Sequence, residues 1–266
     1  MTHSPHHPTP QSYSPELRRL LFDYTLQLAD TSLILGHRLS EWCGHGPVLE
    51  QDLALANIAL DLIGETRSLY QYAAELEGQG RSEDDLAYLR EAVEYKNPLL
   101  VELPNGDFAV TVLRQFIFDG FHLHLLQGLQ SCPDPQLAAI AAKSFKEASY
   151  HLKWSSEWVI RLGDGTDESK RRIEKAIDAL WPYSGELFTM TATEKALFER
   201  GFIPDYAQIK ERWEEHVAKV FAEATLTVPK GVWMQKGGKE GRHTEHLGYI
   251  LAERQYLQRT YPGAEW

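Results

Sequence analysis

Apolar residues recur along most of this chain at alternating steps of three and four, and each run stops at Gly or Pro. Ser14-Pro15-Glu16 reads as an N-cap followed by Pro at the first helical position. From there Leu17, Leu21, Tyr24, Leu28, Thr31, Leu35, Arg38 and Trp42 form one seam, stopped by Gly44, Gly46 and Pro47. A second helix, from about Leu49 to Leu76, carries Leu55, Ile58, Leu62, Leu69 and Tyr72, and closes at Gly78 and Gly80. The stretch 81–107 is broken by Pro98, Pro104, Asn105 and Gly106, so it predicts a short helix around 82–92 and then a crossover. A third helix, Phe108 to Gln130, aligns Phe108, Val112, Gln115, Asp119, His122, Leu126 and Leu129. After the turn at Pro133-Asp134-Pro135, a fourth runs from Gln136 to Leu162 with Leu137, Ile140, Ser144, Glu147, His151, Trp154 and Trp158 in line.

Helices of about 25 residues reach roughly 37 Å, the length of a bundle. The joints after the first and third are short, and the connection between the second and third is long. One long crossover is the ferritin-like arrangement. Shorter helices follow at about 167–181, 186–199 and 205–224, and a last one at about 243–259 beyond the Gly/Lys-rich stretch Lys236–Arg242. Strand alternation is scarce. The fold class is therefore all-α: a ferritin-like four-helix bundle with additional C-terminal helices. Residues 1–14, rich in Pro, Ser, Thr and His, read as a disordered tail, and 15–266 as a single domain.

Composition narrows the function classes. The chain has 266 residues, 43% of them hydrophobic, enough for a sizeable core, and 38 acidic against 27 basic residues give a net charge of −11. That field opposes nucleic-acid binding. Cys43 and Cys132 alone build neither a disulfide framework nor a four-Cys zinc site. No apolar run suits a membrane span, and the N-terminus lacks the order of a signal peptide, so a cytoplasmic location is expected.

The chemistry would lie in the seams, where ionisable groups are costly unless paired or metal-bound. Asp61 on the second helix, Asp119 and His122 on the third, and Glu147 and His151 on the fourth sit there, with Glu41 near the end of the first. In a di-iron bundle two helices give one Glu each and the other two give Glu-x-x-His, because positions i and i+3 share a face. This chain offers Asp61-Leu-Ile-Gly64 and Glu147-Ala-Ser-Tyr150, without the His in either, and Asp119-Gly-Phe-His122 where a carboxylate alone is needed. A hydrogen-bonded network is the ordinary use of such groups, ahead of one bound ion or a working di-iron centre. His243-Thr-Glu-His246 suggests capping rather than ligation, and Lys236–Arg242 misses the phosphate-loop spacing and reads as a mobile surface loop.

Longer strings carry a resemblance. Leu39-Ser-Glu-Trp-Cys-Gly-His-Gly-Pro47, Glu50-Gln-Asp-Leu-Ala-Leu-Ala-Asn-Ile-Ala-Leu-Asp-Leu-Ile-Gly64, Tyr72-Ala-Ala-Glu-Leu76, Asp134-Pro-Gln-Leu-Ala-Ala-Ile140, Lys146-Glu-Ala-Ser-Tyr-His-Leu152 and Gly241-Arg-His-Thr-Glu-His-Leu-Gly248 resemble the PaaC family, the structural partner in the phenylacetyl-CoA 1,2-epoxidase complex. The resemblance implies a ferritin-like, non-catalytic structural subunit of a multicomponent monooxygenase in phenylacetate degradation. The related A subunit would carry the di-iron centre, and no cofactor or metal is expected here; Glu41, Asp61, Asp119, His122, Glu147 and His151 would be the remnant of a degenerate site. The expected partner is the A subunit, with homodimerisation the default in its absence. Two other readings stand beside it: a metal-dependent oxidase using those same six residues, and a stand-alone acyl-CoA-binding bundle.

Overall fold

The structure, a computed structural model, describes residues 10–264. Four long helices make the bundle: α1 (Pro15–Ser40), α2 (Leu49–Glu77), then, after the short α3 (Glu83–Tyr88) and α4 (Leu99–Glu102), α5 (Phe108–Leu129) and α6 (Pro135–Gly163). Around them lie α7 (Asp167–Leu180), α8 (Ala192–Glu199), α9 (Tyr206–Glu223), α10 (Glu245–Arg254) and α11 (Tyr256–Thr260). No strand occurs among the described residues. This is the ferritin-like bundle with appended helices, and the long link falls between α2 and α5.

Local chemistry sets the helix ends. Ser14 accepts from the Leu17 amide with Pro15 in the first turn, and Asp107 and Asp134 cap α5 and α6 in the same way. Gly78 closes α2 in the left-handed region at φ 68°. The α1–α2 and α5–α6 hairpins pack face to face, and α7 and α9 cover the rest of α5. As a result α5 is buried nearly all round, including Arg114, Gln115, Asp119 and His122. Gly120 makes that cover close: a Cβ there would stand 2.7 Å from the Trp213 indole of α9, whose Nε1 donates to the Ile117 carbonyl at 3.0 Å.

Of the stretch expected to be a disordered tail, residues 1–9 lie outside the described residues. Its inner end is ordered: Pro10–Ser12 form a 3-10 turn, and the Tyr13 hydroxyl donates to Asp134 at 2.8 Å.

Buried carboxylates sew the appended segments to the bundle. Asp30 of α1 accepts from the Tyr70 hydroxyl (2.6 Å), the Lys96 amide (2.9 Å) and both terminal nitrogens of Arg90, whose guanidinium lies 4.2 Å from the centre of the Tyr95 ring. Glu102 of α4 takes Asn97, His243 and both donors of Thr244. The second nitrogen of His243 bonds the Tyr95 carbonyl at 2.9 Å, and Glu102 outweighs burial to raise this imidazole above its usual range.

Two more carboxylates correct sequence expectations. Glu186 turns inward to accept from the Leu99 and Gly237 amides, both at 2.7 Å. It therefore lies in a 3-10 turn (Gly185–Phe188), and the helix expected from 186 begins only at Ala192. Glu194 accepts from Lys239 (2.8 Å), Gln27 (2.8 Å) and Tyr206 (2.9 Å). Lys239 is only 7% exposed. The stretch Lys236–Arg242 is thus pinned by Glu186 and Glu194 and is no mobile surface loop. The last helix also breaks, at Gln255, whose side chain donates to the Arg90 carbonyl and the Tyr95 hydroxyl.

The Asp30–Arg90 pair gives a stability prediction. Asp30→Asn leaves a buried guanidinium uncompensated, so urea unfolding should show a loss of about 3 kcal/mol or more. A loss under about 1 kcal/mol, the scale of an ordinary hydrogen bond, would show that the pair is not what anchors this link.

Candidate functional site

Each bundle helix places one polar side chain at the same level of the core: Ser32 on α1, Glu65 on α2, His122 on α5 and Ser144 on α6. The Ser32 hydroxyl donates to Glu65 Oε1 at 2.6 Å, and His122 Nε2 meets the same oxygen at 3.1 Å. Both charged side chains are buried. Burial alone would raise the Glu65 carboxyl. The His122 charge, with hydrogen bonds from His122, Ser32 and Ser144, overcomes it and holds the group at about 2. Burial likewise pulls His122 down, but the Glu65 charge prevails and raises it. The result is an ion pair whose imidazole stacks on Phe118 at 4.9 Å.

One turn back along α5, Asp119 accepts from Gln115 Nε2 (2.6 Å) and the Ser155 hydroxyl (2.8 Å). Burial pushes it up to about 7 against those bonds. On the outer side of α2, Asp61 pairs with His151 at 3.0 Å. Burial lowers His151 despite that contact, so its imidazole stays neutral further into the acid range. Glu147 is half-buried, raised first by burial and then by the Asp61 and Glu65 charges.

Of the six residues singled out in the sequence, Asp61 meets His151 directly, Asp119 and His122 share α5, and Glu147 lies within electrostatic reach of Asp61. Glu41 is elsewhere. It sits about 13 Å along α1 from Ser32, paired with Arg38 at 2.9 Å and accepting from Asn105 at 2.8 Å. The central carboxylate, Glu65, was missed. It continues the α2 seam of Leu55, Ile58, Leu62, Leu69 and Tyr72 at the one position where an apolar residue is absent, and that gap was its signal. The pattern at the core is therefore Glu65-Thr-Arg-Ser68 on α2 and Ser144-Phe-Lys-Glu147 on α6, rather than the strings beginning at Asp61 and Glu147.

This donor set does not fit a pair of iron ions. The template needs carboxylates from all four helices and two imidazoles at i+3. Here α1 and α6 present hydroxyls, which donate to Glu65, where the template has carboxylates. Among the described residues no three His, Cys, Asp or Glu side chains are grouped to hold a metal ion. The void beside the pair, bounded by Gln27, Thr31, Ser32 and Lys239, measures about 20 Å³. That is room for about one water and far too little for an acyl-CoA. The arrangement can hold charge and a proton.

The family model described as phenylacetic acid catabolic protein matches residues 4–266. The chain is 51% identical over 243 residues to the C subunit of the 1,2-phenylacetyl-CoA epoxidase of Escherichia coli (strain K12), covering 91% of this chain and 98% of the relative.

The Glu65 carboxyl is held below its ordinary value of 4.5, so the stability it contributes is fully present above that value and lost as pH falls toward about 2. Glu65→Gln should accordingly cost ~3 kcal/mol in unfolding at neutral pH. The gap to the parent chain should shrink steadily below pH 4.5. A gap independent of pH would mean that the pair is not ionised in the fold.

Proposed function

The chain belongs to the phenylacetic acid catabolic protein family, and on that premise we propose that it is a non-catalytic, cytoplasmic subunit of a phenylacetyl-CoA 1,2-epoxidase. In this reading it docks against a catalytic A subunit that carries the di-iron centre. The observation that supports it best is the outer face of α2. Leu49, Leu53, Leu60 and Ile63 stand exposed at helical spacing, Leu60 by 65%, and Tyr150 of α6, next in sequence to the His151 that bonds Asp61, is exposed as well.

This helix already buries a full inward seam of Leu55, Ile58, Leu62, Leu69 and Tyr72. A second apolar stripe on the opposite side is left uncovered among the described residues. Each such side chain is worth about 1.5–3 kcal/mol when removed from water, and contiguous apolar patches of this kind mark protein interfaces. Asp61, on the rim of the stripe, already has His151 as its partner, so a docking helix would not strand its charge. The core supports the division of labour, since Ser32 and Ser144 fill the level where a catalytic bundle needs carboxylates. The protein would then act by holding the partner's helices in a fixed arrangement, so that the site they carry is preorganised.

Two measurements test this. The chain lacking residues 1–9, whose His3, His6 and His7 would collect stray metal, should contain less than about 0.1 metal ion per chain after growth alone in iron-rich medium. Near two irons per chain would turn the reading toward an oxidase. Co-expressed with the A subunit, the parent chain should co-purify with it, while Leu60→Asp should lose it and keep its helical circular dichroism. Retention of the A subunit by that variant would mean that the α2 face is not the contact.

A further inference from the structure

A second surface lies on the far side of the bundle, where α9 ends. Thr225 takes φ 56°, a left-handed conformation unusual for a β-branched residue. It is held by its hydroxyl, which donates to the Gly163 carbonyl (3.3 Å) and accepts from Lys170 (3.0 Å). The Leu226 amide closes the helix on the Phe221 carbonyl at 2.8 Å. Beyond it an irregular strap runs to Gln235, whose amide donates to the Pro182 carbonyl at 2.7 Å, and then to Gly237, fixed by Glu186. Both ends of the strap are therefore anchored. Among the described residues, the backbone groups of Thr227 to Met234 make no hydrogen bond in between.

Beneath the strap a groove of about 680 Å³ opens against α9. Its floor is aromatic: the Trp213 ring centre lies 5.6 Å from that of Trp181 and 5.1 Å from that of Phe188. Val217 forms one wall, and Val228 and Met234 of the strap form the other. This is the volume and lining of a recognition pocket, far larger than a packing defect. Next to the groove-lining Met234 in the strap, Trp233 is 77% exposed, the most exposed large apolar side chain among the described residues. Trp is the side chain most often found anchoring an interface.

Charge fixes what the surface fits. Lys210 and Glu214 on the groove rim neutralise each other at 3.2 Å. Lys230 and Lys236, which flank Trp233, are exposed and have no ion pair among the described residues. In a chain of net charge −11 this is a locally basic spot. It attracts a partner segment rich in Asp and Glu.

We propose that the strap Thr227–Lys236 and the groove beneath it form a docking site for an acidic segment of another subunit of the epoxidase, with one bulky apolar side chain of that segment seated on Trp181, Phe188 and Trp213. The proposal rests on the subunit reading above but uses a different face. The α2 stripe lies on the α1–α2–α6 side, whereas α9 packs on α5 and α6. Unpaired strap amides and carbonyls supply main-chain hydrogen bonds, the lysines steer the approach, and the groove supplies burial.

Photo-crosslinking within the co-expressed complex tests it. With p-benzoylphenylalanine at position 233 in place of Trp233, illumination should join this chain to one other subunit. Mass spectrometry should map the link to a segment rich in Asp and Glu that carries a large apolar residue. Lys230→Glu combined with Lys236→Glu should cut the yield by about tenfold without changing the circular dichroism. A control probe at position 60 reports the α2 interface separately. A link at 60 with none at 233 overturns this proposal and leaves the subunit reading standing; links at neither position overturn both. A link to a neutral or basic segment, a link to a second copy of this chain, or a yield unaffected by the two charge reversals also overturns it. So does saturable binding of phenylacetate alone in the groove, read by tryptophan fluorescence, if the crosslink is absent.

Discussion

The whole assembly of bundle, crossover and C-terminal segments depends on one rule: a carboxylate removed from water must find its donors. Asp30, Glu65, Glu102, Glu186 and Glu194 are all buried, and each accepts at least two hydrogen bonds. An unpaired one would cost several kcal/mol. The donors come from segments far apart in sequence, so satisfying the charges forces those segments into place. Asp30 draws in the link after α3, Glu102 the residues before α10, and Glu186 and Glu194 the stretch around Lys239. Apolar packing would hold these pieces loosely. The carboxylates give each one a unique seat.

The bundle itself was legible, because a long seam with capped ends leaves few alternatives. Ser14-Pro15, Asp107 and Asp134-Pro135 mark helix starts by local chemistry alone, and the length of the α2–α5 connection gave the topology. The polar level was legible only in part. His122, Asp119 and Ser144 fall on their seams by spacing, but Glu65 was concealed by its neighbour Asp61, one turn earlier and nearer to the expected motif. Whether a carboxylate on α2 faces the core or the rim depends on the helix rotation, which periodicity leaves open when both faces are apolar. Glu41 failed for a related reason. It lies near the seam in sequence but beyond the last turn of α1, where Arg38 and Asn105 claim it. The seats of Lys239 and Glu186 could not be read at all, since both depend on contacts more than forty residues away.

A glycine- and lysine-rich stretch usually signals mobility, and here composition misled. Gly237 is there because its backbone takes φ 137°, and Gly238 because backbone must approach backbone: a Cβ on Gly238 would stand 2.4 Å from the Asn97 carbonyl oxygen. Lys239 is there to neutralise Glu194. The same tail therefore contains a tightly seated half, from Gly237 onward, and an unpaired half, the strap before it. Local composition hardly distinguishes them; the presence of a buried acid to receive each residue does.

The Glu65–His122 pair also has a structural consequence. Replacing a buried ion pair by apolar groups of similar volume is often neutral for stability, so stability alone is a weak reason to keep it. Helix rotation is a better one. Because α2 is apolar on both faces, its seam alone does not decide which face turns inward. Glu65 does decide: only one rotation brings it to Ser32, His122 and Ser144, and any other strands a charge in the core. That rotation sends Leu49, Leu53, Leu60 and Ile63 outward. The polar level in the core thereby sets the surface on which a partner would dock.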